Sequence, residues 1–186
     1  MAYLIDRLKE SLYKKGISAR SGEARAWLEH KVKQVTVTPS KLLERQGQSN
    51  QTMIGGMYFY VYDPKTKNEM AFYDKFPLVI PVEKYSDGFL GLNLHYIHPR
   101  SRLSLLDKLS DIATNNRFDE STRFRISYGY LKRASQIYEH HTCLKRYLYS
   151  HVRSKFIKID ADEWDIAALL PAENFEKKTK EEIYGI

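Results

Sequence analysis

At 186 residues, 42% hydrophobic and 13% aromatic, the chain is too apolar for disorder and long enough for one domain with its own core, which leaves no room for two independent catalytic domains. No apolar run approaches the ~20 residues that span a bilayer, and one cysteine, Cys143, cannot form an internal disulfide. The net charge of +7 suits a polyanionic partner or a solvated basic face.

The opening segment, MAYLIDRLKESLYKKG, lacks the continuous apolar stretch of a secretory signal, so the expected setting is a cytoplasm or a particle assembled in one. Leu4, Ile5, Leu8 and Leu12 recur at helical spacing, and Gly16 stands where a C-cap glycine ends a helix. Ser21 is placed to N-cap a second helix bearing Ala24, Trp27, Leu28 and Val32, so residues 1–34 read as a helical hairpin. Periodicity is lost over 35–56, where RQGQSNQTMIGG predicts a loop or an extended arm. Lying on a neighbouring subunit, such an arm would present Gln46, Gln48, Asn50, Met53 and Ile54.

An α+β core is expected over 57–170. MYFYVYDP and FPLVIPVEKY read as strands, and Pro77 and Pro81 place the second at an edge, a bend or a bulge. An Asp87-Gly88 turn precedes the alternating FLGLNLHYI. Strands this short predict a small, strongly curved antiparallel sheet or an SH3-like barrel with packed helices. Pro99 opens a helix through Leu103, Leu105, Leu106, Leu109 and Ile112, ended by Asn115 and Asn116. STRFRISYGYL alternates as a strand, and the spacing of Ile137, Tyr138, His141, Leu144, Leu148 and Val152 predicts a long amphipathic helix from Ala134. KFIKID reads as a last strand and DEWDIAALL as a short helix. Residues 171–186 form an acidic tail that can dock through Phe175 and Ile183.

Charge is segregated. From Leu131 to Lys158, Glu139 is the lone acid among many cations, whereas acids dominate after Asp160. Lys132, Arg133, Lys145, Arg146 and Arg153, interleaved with Tyr138, Tyr147 and Tyr149, are the candidate contacts to nucleic-acid phosphates or an acidic partner, with Arg100 and Arg102 as secondary candidates. The same asymmetry would also let neighbouring copies dock basic face to acidic tail. Metal binding is not expected. His95 and His98 flank a strand end, and the adjacent His140 and His141, beside Cys143, diverge by about 100° on a helix. Asp160 and Asp162 beside Lys155 and Lys158 offer two carboxylates for magnesium but no well-spaced third ligand. No nucleotide-binding, nucleophile-elbow or zinc motif occurs, and neither a catalytic residue nor a cofactor is expected.

The stretch from Met57 to about Leu109, carrying MYFYVYDPKTK, YDKFPLVIPVEKYSDGFLGLNLHYIHP and RLSLLDKL, resembles small virion-morphogenesis proteins of T4-like contractile-tailed phages, of the DNA end protector kind or a neck or baseplate component. The resemblance implies a component that completes the particle, either shielding the packaged double-stranded DNA end or sitting at the head-tail junction or baseplate. The first reading is a non-enzymatic virion protein, in several copies among other virion proteins. It brings no catalytic residue. The alternative is a magnesium-dependent nucleic-acid enzyme using Asp160 and Asp162.

Overall fold

Strict alternation over residues 57–62 sets the architecture: Met57 and Phe59 face one side of a sheet, Tyr58, Tyr60 and Tyr62 the other, and all five are buried. A sheet buried on both faces needs two cores. The computed structural model describes residues 4–45, 47–113, 129 and 143–186. In chain order the elements are α1 (Leu4–Lys14), α2 (Gly22–Val32), α3 (Pro39–Leu43), β1 (Gln48–Ser49), β2 (Met57–Phe59), β3 (Tyr73–Asp74), β4 (Leu78–Lys84), β5 (Gly88–Asn93), α4 (Pro99–Ala113), β6 (Leu144–Leu148), β7 (Phe156–Ile159), α5 (Trp164–Leu169), β8 (Phe175–Glu176) and α6 (Lys180–Tyr184).

The fold is α+β. Six strands form an antiparallel sheet in the order β1-β7-β2-β4-β5-β6, and β3 pairs with β8 in a second, two-stranded sheet. Among the described residues β1 and β6 do not pair with each other. One face packs Met57, Phe59, Leu78, Ile80, Leu92 and Ile157 against Ile5, Leu8, Leu28, Leu106 and Ile166 of the helices. The other gathers Tyr58, Tyr60, Tyr62, Phe89, Tyr147 and Phe156, with Tyr60 and Phe156 edge to face at 4.9 Å.

Helix ends follow their local chemistry. Gly16 takes φ +68°, and the N–H groups of Gly16 and Ile17 donate to Tyr13 O and Leu12 O at 2.9 and 3.1 Å, the paired bonds of a Schellman motif. Ser21 caps α2 by accepting from the Ala24 N–H at 3.0 Å. Pro99 begins α4 as expected.

Two expectations change, and the bulge expected as one placement of Pro81 is found. The expected helix from Ala134 to Val152 falls partly outside the described residues, but its last part is β6 followed by a 3-10 turn at Tyr149–His151. Leu144, Leu148 and Val152 mimic a helical stripe, yet β6 pairs with β5 along its whole length, from Leu144↔Leu92 to Leu148↔Gly88. Within 35–56, Thr38 and Pro39 start α3 as N-cap and N1, and β1 pairs with β7. In β4, Pro81 sits in an interior strand at a bulge: the register with β5 shifts between Pro81 and Glu83, and pairing with β2 covers only Leu78 and Val79. The expected strand over 121–131, apart from residue 129, and the stop at Asn115 and Asn116 lie outside the described residues.

The C-terminal segment folds back onto the body. Phe175 packs edge to face on Tyr96 at 5.4 Å. Ile183 and Tyr184 are both half-buried, and the Tyr184 hydroxyl donates to His95 O at 2.6 Å.

Candidate nucleic-acid interface

β6 ends the sheet order, and its sequence LKRYL places two cations beside a wall of tyrosines. Lys145 and Tyr147, two residues apart, share a face; Tyr147 is buried and Lys145 half-buried. The Lys145 ammonium lies 4.9 Å from the centre of the Tyr96 ring. Among the described residues no carboxylate pairs with it, and burial lowers its pKa from the ordinary lysine value. Arg146 stacks 3.7 Å over the Tyr85 ring and pairs with Asp87. Both cations border a cleft of about 220 Å³, walled also by Tyr62, Lys65, Tyr73 and Tyr96. The Tyr62 hydroxyl accepts from the Leu148 N–H at 3.2 Å, which fixes that ring against β6.

Under the cleft lies a buried polar network. Asp74 Oδ2 is 2.7 Å from His95 Nδ1 and accepts from the Asn93 amide at 3.3 Å, while its Oδ1 accepts from the N–H groups of Phe76 and Asn174. The Asn93 amide also donates to the Tyr147 hydroxyl at 3.1 Å. This Asp-His pair has the look of an acid-base dyad, and His95 Nε2 has no hydrogen-bond partner among the described residues. Yet His95 is 0% exposed, so no substrate reaches it. The network ties β3, β5 and β6 to the start of the C-terminal segment and holds the cleft floor in shape.

What such a surface can do is bind. Cations beside aromatic faces suit phosphates and stacked bases. The comparisons bear on this. A family model described as the phage T4 terminal DNA protecting protein matches residues 3–185. The chain belongs to that family. No curated protein and no solved structure matches it.

For a member of the terminal DNA protecting family, the cations expected from the sequence fall into distinct places. Lys145 and Arg146 meet at the cleft. Arg153 is exposed, donates to Ser150 O at 3.2 Å and lies 3.8 Å from Asp63. Arg100 is exposed at the start of α4. Arg102 needs correction: it is 0% exposed, and its guanidinium is committed to Ile97 O at 2.7 Å, Ala168 O at 2.8 Å and Glu173 at 2.6 Å, so nothing is left for a phosphate. Lys132, Arg133 and Gln46, like His140 and His141, lie outside the described residues.

Of the arm residues, Gln48 is turned inward, its amide donating to Leu43 O and, at 3.2 Å, to Arg45 O. Asn50 and Met53 are exposed, Met53 at 67%, and Ile54 is half-buried. The Asp160 N–H donates to Glu163 Oε2 at 3.3 Å, and Asp162 pairs with Lys9 at 2.6 Å. Among the described residues no cluster of three or more His, Cys, Asp or Glu side chains is placed to hold a metal ion, and no helix is long and apolar enough to cross a membrane.

Sequence reasoning missed Lys65, Tyr62, Tyr73 and Tyr96 as site residues. The PKTK turn was a weak signal for Lys65; the tyrosines gave none, because the cleft joins segments far apart in the chain.

Proposed function

We propose that this protein shields an end of linear double-stranded DNA in a T4-like phage particle, binding it through the face that carries Lys145, Arg146 and Arg153, without catalysing a reaction on it. The observation that carries this reading is Lys145, a half-buried cation with no carboxylate partner among the described residues, set in a tyrosine-walled cleft. Burying a charge without a partner is costly, and an incoming phosphate removes that cost. Lys155 and Lys158, exposed and without an acidic partner among the described residues, extend the basic surface.

Assembled in the host cytoplasm, the protein acts in several copies at the head-tail junction or baseplate, where the exposed Met53 and Asn50 meet other virion proteins. Binding of the full chain to linear duplex, competed by a closed circle of the same sequence, tests the reading. Linear DNA should win, and replacing Lys145 and Arg146 together by glutamine should weaken binding about tenfold or more and lower the salt dependence by about two phosphate contacts. Equal binding of circle and linear duplex, with an unchanged salt slope in the variant, would contradict it.

A further inference from the structure

We infer that the cleft beside β6 is a pocket for the terminal nucleotide of a DNA end, with Lys145 taking a terminal phosphate monoester and the walls of Tyr62, Tyr73 and Tyr96 receiving the base or sugar. The inference rests on the end-shielding reading and adds what distinguishes an end from the rest of the duplex.

Three observations carry it. First, the cleft is small and floored by the buried Asp74 and Tyr147, with Lys145 in its wall. At about 220 Å³ it has room for part of one nucleotide and no more. Second, Lys145 lies half-buried against Tyr96, a setting that suits a phosphate projecting from a chain terminus. Third, the charges match an anion richer than a diester. A phosphate monoester carries about −1.5 to −2 near neutral pH against −1 for a diester. Lys65, Lys145 and Arg146 border the same space; Asp74 is the acid within it, and both its oxygens are engaged by Phe76, Asn174, Asn93 and His95. Arg146 remains tethered to Asp87, which leaves Lys145 and Lys65 as the free cations of the pocket among the described residues.

The test uses the full chain and four forms of one DNA sequence: blunt linear duplexes bearing 5′-phosphate, 3′-phosphate or hydroxyl at both termini, and a closed circle. A phosphate at one type of end should tighten binding about tenfold over hydroxyl ends, and which end it is separates the 5′ from the 3′ source. K145Q should bind both end chemistries equally. On binding, the Lys145 ammonium pKa, followed by NMR, should rise toward the ordinary lysine value as the phosphate compensates its burial. K65Q, altered at an exposed residue, should reduce the same preference should K145Q fail to fold. Linear duplexes bound tightly but equally whatever their end chemistry would overturn this inference and leave the end-shielding reading intact. A circle bound as tightly as every linear form would overturn both.

Discussion

Gly88 shows how one missing side chain shapes the candidate site. Its φ is not positive, so the turn after β4 does not need glycine for backbone freedom; it needs it for space, because a Cβ there would sit 1.9 Å from Tyr147 O. Gly88→Ala must therefore push β5 and β6 apart where Tyr147 and Leu148 border the cleft. Thermal unfolding should register a loss of about 1–3 kcal/mol or more, with weaker DNA binding in the same variant. Arg102 and Glu173 make the opposite case, a buried pair that serves only the fold. Burial alone would raise the Glu173 carboxyl, but His95, Arg102 and Lys180 outweigh it and hold the pKa at about 2, below the ordinary 4.5. A depressed carboxyl stabilises the fold above its unfolded pKa and loses that contribution as pH falls. Wild-type stability should therefore decline between about pH 4.5 and pH 2 by roughly 3 kcal/mol from this group. In denaturant titrations across that window Glu173→Gln should start about 3–5 kcal/mol less stable, with Arg102 left unpaired, and show a flatter acid limb. An unchanged acid limb would show that Glu173 does not carry the effect.

At the scale of elements, the segment over 35–56 divides into what the fold uses and what it leaves free. β1 pairs with β7, Thr52 is buried, and the Met53 N–H donates to the Tyr58 hydroxyl at 3.0 Å, whereas the Met53 side chain projects outward. Met53→Asp should leave the melting temperature within about 2 °C but lower incorporation into phage particles, whereas deleting residues 47–54 should destabilise the sheet itself. Normal incorporation of Met53→Asp would remove that side chain from any contact between neighbours. The same elements show what the sequence discloses. α1 and α2 were legible because Gly16 and Ser21 act within one helical turn. β6 was not: Leu144, Leu148 and Val152 fit a helical stripe, and the pairing with β5 that decides its conformation joins residues more than fifty positions apart. α3 was missed although Thr38-Pro39 signals a helix start, because RQGQSNQTMIGG dominated the reading of its surroundings. The cleft was least legible, assembled from residues 62, 64–66, 70, 73–74, 96 and 145–148, of which only the last lay in a segment singled out for its charge.

Across the whole molecule, the segregated charges resolve into a division of labour. Most acids after Asp160 neutralise cations of the body: Asp162 pairs with Lys9, Glu163 with Arg45, Asp165 with Arg25, Glu173 with Arg102 and Lys180, and Glu176 with Lys75. The C-terminal segment thus closes the fold, and Lys65, Lys145, Lys155 and Lys158 are among the described cations that keep no acidic partner. On the proposed reading such a surface binds DNA without reading its sequence, and the pocket beside it adds preference for a terminus. The most direct test of this account is the survival of linear duplex DNA challenged with a processive exonuclease in the presence of the full chain. The wild-type protein should preserve the duplex at concentrations where the Lys145→Gln, Arg146→Gln double variant, equally well folded, leaves it to be degraded. Digestion at the same rate with and without saturating wild-type protein would contradict the account.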